Sequence, residues 1–551
     1  MNITGRFIDL QQRRIYPAAL QIKDGKVVEI QALETAPPDS PYILPGFIDA
    51  HIHIESSMLP PSEFARLAVV HGTVATVSDP HEIANVLGVE GVEFMLEDAR
   101  RAPLKFCFGA PSCVPATGFE TAGAVMDSDA VEALLQHPEI GYLSEMMNFP
   151  GVLHQDPQVM AKIEAAKRIG KPIDGHAPGL RGEDAVHYFA AGISTDHECF
   201  TYEEGLEKAR LGVKILIREG SAAKNFEALW PLLPAFPDQV MFCSDDKHPD
   251  DLVQGHINQL VARAVAKGCD LFDTLCAACI NPIEHYRLPV GALKPGDPAD
   301  FVLVDNLVSF EVRETWINGV CVARAGASLL PRLECAAPNH FKAEPKSPEM
   351  FRIPTSATTT TTPVKVIQVR DGAIVTGKEE ALAHVQDACL LPYPAQDVLK
   401  IAVVNRYAQQ APIACGFVRG FGLQRGALAS SVAHDSHNII AVGTDDHAIC
   451  AAVNALIKVG GGICATNGAG DIRVMSLPIA GLMSMEDGYT LAANYSAIDG
   501  FTKESLDCAL KAPFMTLSFL ALPVIPALKM TDLGLFDVDR FGVTGVEIYQ
   551  D

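Results

Sequence analysis

Short apolar runs alternate with helix-like segments along residues 46–288. Each run is rich in β-branched or aromatic residues and ends in a polar cluster, whereas the intervening segments carry apolar residues at helical spacing. The runs are GFIDAHIH, TVATVSDPH, KFCFGAPS, IGYLSEMM, KPIDGHA, GISTDHE, KILIREG and QVMFCSDD. Eight strand–helix units in about 240 residues match the size of a closed parallel barrel.

The side chains capable of chemistry sit at the carboxyl ends of these runs. Barrel enzymes build their active sites on that face of the strands. An open, doubly wound sheet is the competing architecture, but it rarely needs eight such strand ends to converge. We therefore predict an α/β fold with a (β/α)8 TIM-like barrel at residues 46–288.

Strand-like pieces flank the predicted barrel on both sides in the chain. They lie in residues 1–45 and 289–335, and we expect the two ranges to pair into one small β-domain. Residues 336–362 are rich in proline, charge and threonine, a composition typical of a linker. The dense glycine and apolar runs beyond residue 362 predict a separate α+β C-terminal domain at 363–551.

Composition narrows the functional classes. The 551 residues are 48% hydrophobic and 20% charged, which is typical of globular proteins. The net charge of −24 argues against nucleic acid or anionic membranes as partners. No secretory signal and no spanning run of ~20 apolar residues is recognisable. Because the 14 cysteines are scattered along a long chain, we expect reduced thiols and a cytoplasmic protein.

Two histidines, His51 and His53, end the first run. Residues two apart on a strand face the same side, so both imidazoles can bind one cation. A lone His-x-His is a weak signal, but four further candidate ligands end other runs: Glu145, His176, His197 and Asp245. Histidines that merely fill a core or a loop would not be placed in this way, so the sequence predicts a metal site.

The number of candidate ligands suggests two cations. One could bind His51, His53, Glu145 and Asp245, and the second Glu145, His176 and His197. Glu145 is the natural bridge, because two cations need an anion between them. Mixed imidazole and carboxylate ligands admit Fe(II), Mn(II) or Zn(II). Such ions would lower the pKa of water to supply hydroxide at neutral pH, and Asp245 could accept the nucleophile's proton.

Other polar residues near the strand ends are candidates for substrate contacts or for support of the ligands. Glu55, two residues beyond His53 in the same strand phase, could donate a proton to a substrate or orient an imidazole. We expect Arg218 and Glu219 to pair with each other, with substrate contact as the alternative. Asp246 should point to the strand face opposite Asp245. The remaining candidates are Asp79, His81, Glu82, Ser112, His434 and His437.

The segment from His434 to His437, which reads His-Asp-Ser-His, is unusual. One hypothesis is that the C-terminal domain reaches over the barrel mouth and shapes the substrate pocket through this segment. The alternative is a hydrogen-bonded turn between two strands. We favour the first hypothesis, without a specific role for either histidine.

Several motifs resemble the amidohydrolase superfamily and, within it, the adenine deaminase family. The sequence PGFID precedes His-x-His, and GALKPGDPAD at 291–300 resembles the superfamily's return to its β-domain. The narrower resemblance covers nearly the whole chain. Its motifs include HIHIESSM, SDPHEIANVLG, SCVPATGFE, EMMNFPGV, DGHAPGL, IREGSAAKN, CSDDKHP, GFGLQRGALASSVAHDSHNI, LPIAGLMS and LPVIPALK.

This resemblance implies hydrolysis of adenine to hypoxanthine and ammonia in purine salvage or catabolism. It implies attack of metal-activated hydroxide on C6, two divalent ions per subunit with Mn(II) or Fe(II) preferred, and a homodimer or larger oligomer. Glu145 would replace the carboxylated lysine of many relatives. Asp245 and Glu55 would be the catalytic groups.

Two alternatives stay open for a chain with these motifs. The first is another amidohydrolase, such as a deacetylase or a cyclic amidase. The second is a non-catalytic scaffold of the same fold. Scaffolds of this kind typically lose ligands, whereas this chain keeps every candidate.

Overall fold

The computed structural model describes residues 1–548, and four strands open the chain. They are β1 (Asn2–Asp9), β2 (Arg14–Lys23), β3 (Lys26–Ala32) and β4 (Tyr42–Pro45). In β2 the side chains of Ala18, Leu20 and Ile22 are buried while their neighbours are more exposed. This period of two is the pattern of a sheet with one face against a core.

Eight strands that pair in parallel come next, in two sheets. The five-stranded sheet contains β5 (Phe47–Ile52), β6 (Thr73–Ser78), β7 (Lys105–Ala110), β8 (Ile140–Met146) and β9 (Ile173–Gly175). The three-stranded sheet contains β10 (Thr195–Asp196), β11 (Lys214–Arg218) and β12 (Val240–Cys243). Every residue of β5, β6 and β12 is buried, because both faces of these strands are covered.

Backbone hydrogen bonds link the two parallel sheets at both of their edges. At one edge the Ser194 N–H donates to the carbonyl of Ile173 at 2.9 Å. At the other, the Asp245 N–H donates to the His51 carbonyl at 2.9 Å, and the His53 N–H donates to the Asp245 carbonyl at 3.3 Å. The eight carboxyl ends therefore open onto one rim.

Helices connect these strands and cover their outer side. They are α1 (Pro61–Ala68), α2 (His81–Leu87), α3 (Val89–Ala99), α4 (Ser128–Gln136), α5 (Phe149–Leu153), α6 (Pro157–Ile169), α7 (Gly182–Ala190), α8 (Tyr202–Arg210), α9 (Phe226–Leu229), α10 (Pro249–Gln254), α11 (Ile257–Ala266), α12 (Leu271–Leu275) and α13 (Asn281–Tyr286). The pattern at 251–268 predicts one helix, but the chain breaks it at Gly255, whose backbone is extended. The break turns His256 inward, where its ring is fully buried.

The chain then returns to the first sheet with β13 (Phe301–Val304), β14 (Val312–Ile317), β15 (Val320–Arg324) and β16 (Ala327–Ser328). The strand order is β16-β15-β14-β13-β4-β1-β2-β3. The two halves meet where β13 pairs antiparallel with β4. A separate core that includes Phe7, Leu20, Phe301 and Trp316 lies against this sheet.

The last third of the chain is built around a ten-stranded sheet. Its strands are β17 (Ile353–Pro354), β18 (Thr361–Gln368), β19 (Gly377–Gln386), β20 (Cys389–Leu391), β21 (Leu399–Val404), β22 (Ile413–Arg419), β23 (Ala427–Ser430), β24 (Ile439–Gly443), β25 (Gly462–Thr466) and β26 (Ile472–Ser476). A smaller antiparallel sheet contains β27 (Leu528–Thr531), β28 (Gly534–Asp537) and β29 (Gly542–Thr544). The predicted linker is thus partly ordered, because β17 lies within it and pairs with β20.

Three helices accompany these sheets: α14 (Asp446–Val459), α15 (Gly488–Ser505) and α16 (Pro513–Ser518). Helix α15 packs against α1 and α10, which come after β5 and β12, the first and the last of the parallel strands. The C-terminal part of the chain therefore lies against the rim of the parallel strands. Among residues 1–548, no helix combines the length and the apolar character needed to cross a membrane.

A buried ion-pair cluster fixes the end of β10. The Nζ of Lys208, on α8, lies 2.6 Å from an Asp196 carboxylate oxygen and 2.7 Å from one of Glu204. Replacing Lys208 with Met should lower the free energy of unfolding by about 3–5 kcal/mol, because it leaves buried carboxylates uncompensated. The midpoint of denaturant unfolding measures the change.

The matched control is Lys267→Met, which removes an exposed lysine paired with Glu227 at 2.6 Å. Exposed ion pairs contribute little, so this variant should leave the unfolding midpoint nearly unchanged. Equal midpoints for the two variants would show that the Lys208 cluster does not stabilise the fold.

Candidate metal centre and substrate pocket

The side chains predicted as metal ligands converge at the rim of the parallel strands. They belong to β5 and β8, directly follow β5, β9 and β10, or, in the case of Asp245, lie two residues beyond β12, and none is more than 5% exposed. They are His51, His53, Glu145, His176, His197 and Asp245.

Glu145 lies between the imidazoles. Its Oε2 is 2.9 Å from His176 Nδ1, 3.0 Å from His197 Nε2 and 3.9 Å from His51 Nε2. Its Oε1 is 3.5 Å from His53 Nε2. Burial raises the pKa of Glu145, but the His176 and His197 imidazoles outweigh burial and hold that pKa well below its usual range.

Asp245 faces imidazoles with one oxygen and a guanidinium with the other. Its Oδ1 is 3.1 Å from His53 Nε2 and 3.5 Å from His51 Nε2, while Arg218 donates to Oδ2 at 2.6 Å. Burial raises the pKa of Asp245, but the Arg218 cation outweighs it and holds that pKa well below its usual range. Asp245 is therefore ionised and oriented.

This donor set fits divalent metal ions. Both ring nitrogens of His51 and the Nε2 of His176 are buried without a hydrogen-bond partner among the described residues. Buried polar atoms left unpaired are costly, so such atoms call for a ligand. Several overlapping groups of three or four donors, with ligand atoms within 4.8 Å of one another, include these residues. A buried His/Asp/Glu cluster of this kind is typical of a metal site.

Sequence reasoning missed Glu198, which directly follows His197 at the end of the sixth run. Its Oε1 lies 3.4 Å from His197 Nε2 and 3.7 Å from His176 Nδ1. Glu198 also pairs with Arg218. The available signal was an acidic residue at the very end of a strand run, next to a predicted ligand.

The expected ion pair between Arg218 and Glu219 is wrong. Arg218 pairs with Glu198 and Asp245, whereas Glu219 pairs with Arg263 at 2.5 Å. Glu219 directly follows the last residue of β11, and neighbouring side chains on an extended backbone point to opposite faces. Arg218 thus faces the pocket and Glu219 faces away from it.

The expected orientation of Asp246 is also wrong. Strand β12 ends at Cys243, and Asp245 has a left-handed backbone with φ of 57°. Alternation of faces therefore stops before Asp245, and both aspartates line the pocket. Asp246 accepts a hydrogen bond from the Ser56 hydroxyl at 2.5 Å.

Glu55 is not in the strand phase of His53, because residues 54–57 form a 3-10 turn. Its Oε1 accepts the N–H of Ile83 at 3.2 Å, and its Oε2 is buried without a partner among the described residues. Burial raises the pKa of Glu55 to about 7. The carboxyl group lies against α2 and does not line the pocket.

The end of β6 and the β7 loop support Glu145. His81 Nδ1 lies 3.1 Å from an Asp79 carboxylate oxygen and 3.5 Å from Glu145 Oε1. The Ser112 hydroxyl donates to the backbone carbonyl of Glu145 at 2.5 Å. Asp79 and His81 thus lie beside the carboxylate at the centre of the cluster, and Ser112 holds the backbone of Glu145.

A pocket lies above the ligand cluster, and side chains of the parallel strands and of the C-terminal part of the chain line it. The parallel strands contribute its charged floor. The C-terminal part of the chain contributes a roof that is mainly apolar. The roof residues are Ile374, His434, Asp435, Phe519, Leu522 and Ile525.

Glu82, on α2, joins the floor to the roof. Its Oε1 lies 2.5 Å from His434 Nδ1, and its Oε2 is in ion-pair contact with His437 Nε2. His434 is in the pocket wall, whereas His437 is fully buried behind it. One carboxylate therefore holds two imidazoles of the C-terminal part against the rim.

Two family models match the chain. One, described as the amidohydrolase family, covers residues 42–322, and the other, described as the adenine deaminase C-terminal domain, covers residues 373–542. The chain is similar to proteins named adenine deaminase from Sulfurovum sp. (strain NBC37-1), with 55% identity over 541 residues, and from Salinibacter ruber (strain DSM 13855 / M31), with 54% over 546. These matches cover 98% of this chain, and 98% and 99% of the two relatives.

Among solved structures, a dihydropyrimidinase from Brevibacillus agri NCHU1002 resembles the chain with a TM-score of 0.46 and 14% identity. The match covers 60% of this chain and 96% of that one. Similarity at this level has no bearing on the activity of the chain.

A buried aspartate supports the ligand strands from behind. Asp49 Oδ1 accepts the N–H of Ser244 at 3.0 Å and that of His51 at 3.3 Å, and its Oδ2 is 2.8 Å from His256 Nε2. One carboxylate therefore ties together the backbone beside two candidate ligands, His51 and Asp245.

Replacing Asp49 with Ala should weaken metal binding by about 10–100-fold, the usual loss when an outer partner of a metal ligand is removed. Metal content after dialysis against graded chelator measures it. The control is Asp300→Ala, which removes another fully buried aspartate, one that bonds Lys105 and the Gly291 N–H away from the cluster. Equal metal retention by the two variants would contradict a supporting role for Asp49.

Proposed function

The chain belongs to the adenine deaminase family of amidohydrolases, and on this premise we propose that it hydrolyses adenine to hypoxanthine and ammonia. The reaction would serve purine salvage or catabolism. The observation that carries the proposal is that family similarity extends over both the metal-ligand rim and the C-terminal roof. The buried His/Asp/Glu cluster beneath that roof supports it further.

We propose two divalent ions in the cluster, with Mn(II) or Fe(II) preferred over Zn(II). One ion would be held by His51, His53, Glu145 and Asp245, and the other by Glu145, His176 and His197. The position of the Glu145 carboxylate between the two sets of imidazoles supports a bridging role. When bound, such ions lower the pKa of water so that hydroxide is available at neutral pH.

The side chains would then accept and donate the protons that the reaction transfers. Attack of hydroxide at C6 forms the C–O bond and shifts an electron pair to N1. Loss of ammonia breaks the C6–N bond and requires one more proton on the amino group, while the remaining hydroxyl proton would end on N1 of hypoxanthine. Asp245 lines the pocket and has its Oδ2 occupied by Arg218, so Oδ1 is the atom that would take the proton from water and deliver it to the amine. Arg218 would keep Asp245 in this orientation.

We propose that Glu55, the second candidate catalytic group, acts as a positioning residue. Its unpartnered Oε2 and its hydrogen bond to Ile83 at the start of α2 favour an orienting role over direct protonation of the purine. Through α2 it would position His81 and Glu82 beside the substrate. Asp79 and Ser112 would support Glu145 and would not touch the base.

The links at both edges of the two parallel sheets support a closed (β/α)8 barrel at 46–288. Around it we propose a small β-domain of residues 1–45 and 289–335, a linker at 336–362 and a C-terminal domain at 363–551, whose last three residues lie outside the described ones. A cytoplasmic homodimer is the assembly that we expect.

The direct test is turnover of adenine by protein loaded with Mn(II). We expect ammonia and hypoxanthine in equal amounts, about two metal ions per chain, and loss of activity on chelation, since the nucleophile needs the ions. Ammonia release and purine absorbance report the reaction. Hydrolysis of an N-acetyl sugar or a cyclic amide without turnover of adenine would favour another amidohydrolase, and less than one ion per chain would favour a non-catalytic scaffold.

Replacing Glu145 with Gln should abolish turnover and lower the metal content. Loss of an outer partner already costs about 10–100-fold in metal affinity or activity, so loss of a bridging ligand should exceed about 100-fold. The measurements are kcat/KM for adenine and metal per chain. The control is Glu139→Gln, an exposed glutamate that pairs with Arg100. Full metal occupancy together with normal turnover in the Glu145 variant would refute the bridge.

A further inference from the structure

The roof of the pocket carries a buried polar atom that has no hydrogen-bond partner within residues 1–548. His434 is 2% exposed and lines the pocket, and its Nε2 has no hydrogen-bond partner among the described residues. The carboxylate oxygen that approaches it, Asp246 Oδ1, is 3.9 Å away, beyond hydrogen-bond distance. A buried nitrogen of this kind indicates a partner that the pocket is built to receive.

Two contacts fix the plane and the direction of this ring. Nδ1 bonds Glu82 Oε1 at 2.5 Å, and the imidazole stacks on Phe519 with ring centroids 4.5 Å apart and planes 21° from parallel. With Nδ1 donating to a carboxylate, Nε2 is the atom left for a ligand. Burial lowers the pKa of His434, but Glu82 and Asp246 outweigh it and raise that pKa to about 9, so Nε2 carries a hydrogen.

The rest of the roof suits a flat, apolar ring. Phe519, Ile374, Leu522 and Ile525 line it, and each is nearly buried. Lys529, itself fully buried, donates to the carbonyls of Ile374 at 2.8 Å and Phe519 at 2.9 Å. The two segments that carry the apolar side chains are thus tied together over the pocket.

We propose that His434 reads the substrate: its Nε2–H donates a hydrogen bond to a purine ring nitrogen that is not bonded to C6, while Phe519 and its apolar neighbours cover the base. This inference rests on the proposed function and adds the residue that distinguishes a purine from other amidine or amide substrates. Purine N3 and N7 are the acceptors that meet the description. The C-terminal domain thereby supplies specificity, and the rim supplies the reaction.

The competing explanation is that His434 only fastens the C-terminal domain to α2 through Glu82. His437 provides the comparison, because it is in ion-pair contact with the other oxygen of the same carboxylate but does not line the pocket. A purely fastening role would make the two histidines equivalent. If His434 recognises the substrate, replacing it should alter substrate discrimination, whereas replacing His437 should not.

The experiment compares kcat/KM for adenine, 3-deazaadenine and 7-deazaadenine in the Mn(II)-loaded wild-type enzyme, His434→Phe and His437→Gln. In the wild type, one analogue should be slower than adenine by about 10–100-fold, the usual effect of losing a hydrogen bond to a charged group. In His434→Phe, adenine should slow by a similar factor, and the difference between adenine and that analogue should nearly vanish. In His437→Gln the difference should persist.

Each outcome decides a separate point. If the wild-type enzyme does not deaminate adenine, the proposed function fails. If it does, but the analogue ratio is the same in His434→Phe as in the wild type, only the reading role fails. Should His434→Phe lose its metal or its fold, the same ratio is measured in His434→Gln, which keeps a donor N–H of different reach. A ratio unchanged from the wild type there would also overturn the proposal.

Discussion

A carboxylate buried among imidazoles is the constraint on which this structure depends. Burying an isolated charge costs several kcal/mol, so Glu145 can lie inside the rim only if charge from other strands compensates it. The compensating groups come from the ends of β5, β9 and β10, which are distant in sequence. Formation of the site and association of the parallel strands therefore require each other, and bound cations would satisfy both.

The contacts behind the ligands act mainly on their backbone. The Tyr188 hydroxyl donates to the Met146 carbonyl at 2.7 Å and accepts the N–H of His176 at 3.0 Å, so it links β8 to the end of β9. Asp49 does the same for the ends of β5 and β12. Because these groups hold strand ends and leave the imidazole rings free, they set ligand distances without competing for the metal-binding nitrogens.

Sequence reasoning could predict which residues would converge because the carboxyl ends of parallel strands meet at one rim. It could not predict the direction of a side chain at positions where the backbone has left the strand. Glu55 lies in a 3-10 turn and Asp245 has a left-handed backbone, so alternation of faces does not apply to Glu55 or Asp246. The ion-pair partners of Arg218 could not be predicted either, because Glu198 and Asp245 are distant in sequence but closer to its guanidinium than the adjacent Glu219.

The division of labour between rim and roof arises from their chemistry. Metal ions held by imidazoles and carboxylates would activate water for attack on any electrophilic carbon placed above them. The floor of the pocket therefore contributes little to substrate specificity. Discrimination needs shape and oriented hydrogen bonds, and a site built to hydrogen-bond its substrate rejects analogues that lack the matching atom. In the described residues, the apolar cover and the unpartnered Nε2 of His434 both come from the C-terminal part of the chain. Glu82, at the rim, holds that imidazole in place. One carboxylate therefore connects the residue that recognises the substrate to the rim where the reaction takes place.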